Sequence, residues 1–454
     1  MTDEGLILLV CFSALACGMY LVWPSKWNVL AHMKLAMAVV AYVIPIGFLG
    51  LHESFSPATI EFFTQVMVIG TFAYIAGLLF AKFVLNPAPS RFLREVTAGL
   101  DSGDETRVEK RIWIALIVGL SLMIISFVGM GFIPLFADDP LTAKFFRGEY
   151  KAAYDRVSII YRLAWVILPT LIGVGLYLSF RRTLAMRWRV VTTIVIVLLF
   201  LTLSRTSIAQ GVLLLVVLGL VWRKHTLFAI AVIVASYVAG ALFYRVLAMF
   251  GPDVLGTQGT SRSILSEIGA TVPDVTDALG FWDRWIRAGQ PLTDGRTLWG
   301  GLIPGNYPWN PSVWSITLGN PNVDITAVAS GGLRLPAPAW GYLNFGYPGA
   351  VIIPFIAGLA SGIILVMVSK ALPARRFFTT LLVLMWADVL VNNVFGVFYK
   401  VSYLTVLELL LVTWVLAAAR PHRAHSRYSR SGQAGLIRSS AHRSIALRSR
   451  LDRN

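Results

Sequence analysis

The chain has 454 residues, 57% of them hydrophobic and only 14% charged, with a net charge of +16. Soluble domains average about 25% charged residues, so a water-soluble chain of two or three domains is excluded. Half of the excess charge lies in residues 420–454, which hold nine Arg and one Asp; a basic stretch after the last apolar run predicts a cytoplasmic end near anionic lipid rather than a nucleic-acid partner.

Apolar runs of about 20 residues are long enough to cross a bilayer. Eleven are predicted, near residues 5–23, 35–51, 60–84, 112–132, 158–179, 190–203, 208–222, 227–244, 350–368, 377–394 and 402–418. The first has no positive stretch before it and predicts a retained span rather than a cleaved signal. It also contains both cysteines, Cys11 and Cys17, so neither a disulfide framework nor a Cys metal site is expected. The sixth and seventh are separated only by Ser204-Arg205-Thr206-Ser207, and reading them as one broken span gives ten.

The positive-inside rule favours eleven. With the tail inside, the cytoplasmic loops hold Lys26 and Lys34; Arg91, Arg94, Arg107, Lys110 and Arg111; Arg181, Arg182, Arg187 and Arg189; Arg223 and Lys224; and Lys370, Arg375 and Arg376. Every one is basic. The expected fold class is an all-α polytopic membrane protein of about eleven transmembrane helices (10–12), multi-pass in the lipid bilayer, with one large extracytoplasmic loop. Residues 1–250 carry helices 1 to 8, 251–340 form the loop, 341–419 carry the last three helices, and 420–454 form a basic tail whose composition predicts disorder.

The loop 251–340 is rich in Trp and holds seven acids and five Arg. A loop of this length is functional or disordered, and its aromatic content argues for a folded cap that supplies half of a site. Trp282, Trp285 and Trp309 beside Asp283, Asp294 and Asn310 suit a sugar, whose C–H faces stack on indole while its hydroxyls bond polar groups. Arg284, Arg296, Asp324 and Arg334 complete the candidate sugar-binding set. A Trp belt at headgroup level is the alternative.

Other outward positions carry cations. Arg147 and Arg156 sit among acids in 138–162, where the charge departs from the positive-inside trend; local ion pairing is the competing explanation. Arg205 lies between two apolar runs, where an ionisable group is expensive and points to function; its planar fork suits phosphate. Arg245 ends the eighth span and Arg262 follows it. Together these groups suit one polyanion at the outer surface, such as a lipid-linked diphosphate. Within the late spans, Asp388, Asn392, Asn393 and Glu408 either bond between helices or line a proton or substrate route. No metal site is expected, since no His lies between His225 and His422, and no cofactor motif is present.

Three segments resemble the Wzy-type oligosaccharide repeat-unit polymerases. They are Gly131-Phe132-Ile133-Pro134-Leu135-Phe136, Ser204-Arg205, and the run from Gly341 through Asn344-Phe345-Gly346 to Gly349. Their order and the place of the large loop agree with that family up to about residue 419. The resemblance implies a metal-independent glycosyltransferase of the bacterial inner membrane. It would polymerise undecaprenyl-diphosphate-linked oligosaccharides into O-antigen, capsule or exopolysaccharide on the outer face, with a chain-length regulator and a flippase as possible partners. It carries a diphosphate-holding role to Arg205 first, then to Arg147, Arg245 and Arg262. Attack at the anomeric carbon would pass through an oxocarbenium-like state, with Asp283, Asp294 and Asp324 as open choices for the base.

Three rivals stand beside this reading. An O-antigen ligase-like enzyme uses a histidine in its large loop, which this chain lacks. A transferase using a polyprenyl monophosphate sugar places an acid in its first outer loop, where only Glu53 is available. A transporter or flippase of a lipid-linked sugar would show an inverted repeat, and none is visible.

Overall fold

A backbone in lipid must satisfy its N–H and C=O groups within its own segment or with close neighbours, and this chain does so with helices. The computed structural model describes residues 2–102, 105–181, 185–203, 205–250, 274–303, 309–311, 313–315, 335–372, 376–394 and 402–420, apart from the side chains of 141, 185, 205–210, 237 and 240–250. The described residues form helices and no strand.

In chain order the helices are α1 (Asp3–Val22), α2 (Val29–Ala38), α3 (Ile44–Gly47), α4 (Pro57–Phe80), α5 (Arg91–Asp101), α6 (Glu105–Met130), α7 (Pro140–Lys144), α8 (Glu149–Arg181), α9 (Ala185–Leu201), α10 (Arg205–Trp222) and α11 (Thr226–Phe250). Next come α12 (Asp274–Arg287) and α13 (Arg296–Gly300) in the predicted loop. Finally come α14 (Ala337–Ala371), α15 (Phe377–Asp388) and α16 (Tyr403–Ala417). Among the described residues seven segments are long and apolar enough to cross a membrane, and Gly211–Trp222, Thr226–Ser236 and Tyr403–Ala417 are shorter apolar helices. Large apolar side chains such as Phe72, Val128 and Phe180 face outward. This is the pattern of a polytopic membrane protein, in which lipid rather than water covers the rim.

Local sequence explains the helix starts. Ser56 has extended backbone and its Oγ accepts the Thr59 N–H at 3.2 Å, with Pro57 in the first turn. A cap of this kind contributes about 1 kcal/mol. Ser90 caps α5 in the same way through Leu93. α5 is amphipathic: Leu93, Val96 and Leu100 are buried, while Arg91 and Arg94 are exposed.

The tightest packing is between α4 and α14, which run together over most of their length. A Cβ on Gly77 would stand 2.3 Å from the Phe355 carbonyl oxygen, and one on Gly358 would stand 2.1 Å from that of Tyr74. Only glycine allows the two backbones to meet, as small residues do between membrane helices.

One face of the bundle gathers the helix ends that the charge pattern groups together. Arg181 pairs with Glu105 at 2.6 Å, Arg420 with Glu95 at 3.4 Å, and Lys370 Nζ donates to the Asn86 carbonyl at 2.9 Å. Two expectations are corrected here. Lys34, expected in a cytoplasmic loop, lies inside α2 and is 6% exposed, because that helix begins at Val29. The fifth span, expected from residue 158, is preceded without interruption by helix from Glu149, so Arg156 is helical.

Candidate site on the loop-bearing face

The architecture of the opposite face rests on a break in α14. Phe345 and Gly346 are not helical, and Gly346 adopts φ 65°, ψ −149°, a combination essentially confined to glycine. The two limbs then fold close together, so that a Cβ on Gly341 would stand 2.1 Å from the Gly349 carbonyl oxygen. Pro348 starts the second limb, where no N–H partner is required.

Carbonyls freed at the break need donors, and the predicted loop supplies them. The Thr293 N–H reaches the Leu343 carbonyl at 2.9 Å, and the Asp294 N–H reaches that of Asn344 at 3.1 Å. The Asn344 side chain, 0% exposed, closes the joint: its Oδ1 accepts from Thr293 Oγ1 at 2.7 Å and Thr297 Oγ1 at 2.9 Å, and its Nδ2 donates to the Trp340 carbonyl at 2.8 Å. Residues 293–300 are thereby fixed to the membrane helix. They present exposed Asp294, at φ +49°, exposed Arg296, and Trp299, which is 65% exposed. The Arg296 guanidinium stands 4.9 Å from the Trp309 ring centre, a cation–π distance.

α12 docks on the start of α4. Asp283 accepts from Thr59 Oγ1 at 2.9 Å and pairs with Arg287 one turn later. Between them lies a cleft of about 530 Å³, lined by Ser54, Ser56, Thr59, Phe62, Asp283 and Arg287 among others. Small-ligand clefts run from about 300 to 1,000 Å³. Behind the cleft, the rings of Phe62, Phe63, Trp282, Trp285 and Tyr342 pack in tilted and edge-on pairs.

This burial revises three sequence-based expectations. Trp282 is 0% exposed and Trp285 9%, so neither offers a face for a sugar; both anchor α12 to the bundle. Asp283, on the wall of the cleft, is a structural hub whose carboxylate is engaged by Thr59 and Arg287. Arg284 stays with this helix, half-buried, with its Nε shielded from solvent and without a hydrogen-bond partner among the described residues. Asp294, Arg296 and Trp309 form the one group of expected sugar-binding residues that the described structure brings together in accessible positions.

A third part joins α8 to the same face. Arg162 donates from Nε to Tyr154 Oη at 2.8 Å and from Nη1 to Tyr403 Oη at 2.5 Å. The Tyr403 N–H in turn donates to the Gly301 carbonyl at 2.9 Å, just past α13. Arg147 and Arg156 are exposed near the start of α8, and Arg147 lies 5.1 Å from the Phe145 ring centre. Arg205 is the first residue of α10, after a turn in which Leu203 has φ +57°. Tyr161 of α8 reaches Thr202 in that turn. The Arg205 and Arg245 side chains, and all of Arg262, Asp324 and Arg334, lie outside the described residues.

Beside the cleft, His52 lies buried under the N-terminal turn, with Nε2 3.4 Å from Thr2 Oγ1. Burial holds its imidazole below the usual histidine range, against the opposing charge of Glu53.

Sequence reasoning missed Thr59, Thr293, Thr297 and Tyr403. The Ser56-Pro57 pair is a helix-start signal that could have placed Thr59 in the first turn of α4, but hydroxyls in polar loops give no one-dimensional sign of their partners. Compared with known proteins, the chain matches no family model, no curated protein and no solved structure.

Proposed function

We propose that this chain is a metal-independent integral-membrane glycosyltransferase that joins lipid-diphosphate-linked oligosaccharide units, as the Wzy-type polymerases it resembles do. In this reading the seven candidate spans, the three shorter apolar helices and α9 complete eleven passes of a bacterial inner membrane. The C-terminus is cytoplasmic and 251–340 lies outside. The observation that carries the reading is the docking of the polar loop onto apolar helices. It creates a cleft of about 530 Å³ beside the first turn of α4, and holds Asp294 and Arg296 on the same face.

The chemistry follows from the groups on that face. Attack of an acceptor hydroxyl at the anomeric carbon expels a lipid diphosphate that gains negative charge. Arg205, Arg147, Arg245 and Arg262 are the proposed set that stabilises this charge, most strongly where water is excluded. With Asp283 engaged by Thr59 and Arg287, Asp294 and Asp324 remain as the groups to take the hydroxyl proton.

Glycan profiling of a deletion strain, complemented with wild type or Arg205→Ala, tests the proposal. Single repeat units in place of a ladder, restored by wild type and not by a well-expressed Arg205→Ala, are expected. A ladder that persists on the lipid carrier but is never transferred would make the protein a ligase. Lipid-linked units held on the cytoplasmic side would make it a transporter.

A further inference from the structure

Away from the loop-bearing site, the helix bundle contains three ionisable groups that the proposed transfer does not use. Asp388 ends α15 and is buried; Asn392, in the following π-helical turn, donates to its Oδ1 at 2.6 Å. Glu408 on α16 accepts from Asn393 Nδ2 at 3.0 Å and from Thr170 Oγ1 at 3.1 Å. Both carboxylates line one cavity of about 40 Å³, with Thr170, Gly173 and Gly211. The cavity sits where α8 and α10 touch backbone to backbone, since a Cβ on Gly173 would stand 2.1 Å from the Gly211 carbonyl oxygen. Lys34 of α2 supplies an independent observation. Its Nζ is buried without a hydrogen-bond partner among the described residues, lies 5.8 Å from the Tyr74 ring centre, and interacts electrostatically with Asp388.

We propose that Asp388, Glu408 and Lys34 form an intramembrane proton-binding site, in which the two carboxyl groups share one proton and Lys34 is the fixed counter-charge. Two ionised carboxylates on one small cavity repel strongly in a medium of low dielectric, and one proton removes that repulsion. With Lys34 charged, the triad is then neutral, the cheapest state for ionisable groups at membrane depth. A cavity of this size has room for a water, which needs about 10–15 Å³. The proton passes from one carboxylic acid through that water to the other carboxylate, so charge and atoms balance without a further reactant.

Among the described residues, the neighbouring elements bring further titratable groups: His32 on α2, Tyr74 on α4, Asp101 on α5, Glu109 and Arg111 on α6, Tyr161, Arg162 and Tyr177 on α8, and Tyr403 on α16 toward the loop-bearing face. α10 has only Arg205, at its first residue, and α14 carries Tyr342, Tyr347 and Lys370 only toward its ends.

Infrared difference spectroscopy of the full chain in lipid nanodiscs, titrated from acid to alkali, tests this directly. Wild type is expected to show a protonated-carboxyl carbonyl band that persists above the ordinary carboxyl range of about 4 and disappears reversibly at higher pH. Asp388→Asn and Glu408→Gln are each expected to move its midpoint down into or below that range, because the remaining single carboxylate ionises against Lys34. Lys34→Met is expected to keep the band and move its midpoint to higher pH by about one unit or more. Circular dichroism and elution profile establish folding of each variant. A wild-type band lost entirely within the ordinary carboxyl range, or one indifferent to both carboxylate substitutions, would overturn the proposal.

Discussion

Asn344 accepts a hydrogen bond from Thr293 at 2.7 Å, fully buried, across 51 residues of sequence. This contact joins the polar loop to the broken helix and makes the site a joint between two differently solvated parts of the chain. Removing one partner of a buried hydrogen bond leaves the other unsatisfied, at about 1–3 kcal/mol. Asn344→Ala removes the side-chain acceptor of both Thr hydroxyls and the side-chain donor to the Trp340 carbonyl. Limited proteolysis is expected to cut between residues 288 and 303 in this variant under conditions that leave wild type intact, while membrane insertion is unchanged.

Gly346 gives a second, independent handle on the same joint. A side chain at φ 65°, ψ −149° is held in a region essentially reserved for glycine, at a cost of order 1–3 kcal/mol. Gly346→Ala is expected to lower the thermal unfolding midpoint in detergent. An unchanged midpoint would mean that the limbs relax into a continuous helix without penalty.

Under the proposed transferase function, the two loop carboxylates should separate by role. Asp283→Asn keeps an oxygen to accept from Thr59, so near-normal polymer is expected. Asp283→Ala leaves the Thr59 hydroxyl without that acceptor and should destabilise by about 1–3 kcal/mol. Asp294→Asn, at an exposed position, is expected to leave the unfolding midpoint unchanged and to reduce polymer sharply. Normal polymer from Asp294→Asn would move the base role to Asp324.

His52 predicts an acid-side weakness. Its folded-state affinity for protons is lowered by burial, so the folded chain binds fewer protons than the unfolded chain through that window, and stability rises with pH. The contribution is fully favourable above the ordinary histidine value of about 6.5 and is lost as pH falls below it toward the depressed folded value. Unfolding midpoints measured on both sides of that value should show the slope in wild type and a shallower one in His52→Gln.

Much of the architecture was legible because a bilayer is a severe solvent. Apolar runs long enough to cross it become helices, and the seven candidate spans include most of the longest predicted ones. Lys34 shows the limit: an apolar run read from residue 35 placed it in a loop, whereas the flanking apolar residues were sufficient to carry the helix past it. Trp282 and Asp283 show another, since composition gives a residue's chemistry but not whether its face or its lone pairs are already taken.

The amino-acid sequence by itself determined the helical, membrane-spanning class. This follows from local backbone preference and from the cost of exposing polar groups to lipid. Only the tertiary structure decided that Asn344 seals the loop to the break, that Trp282 is buried, and that Lys34, Asp388 and Glu408 meet inside the bundle. Those relations join residues up to several hundred positions apart, and they arise because buried polar groups must find partners wherever the packed helices bring one within reach.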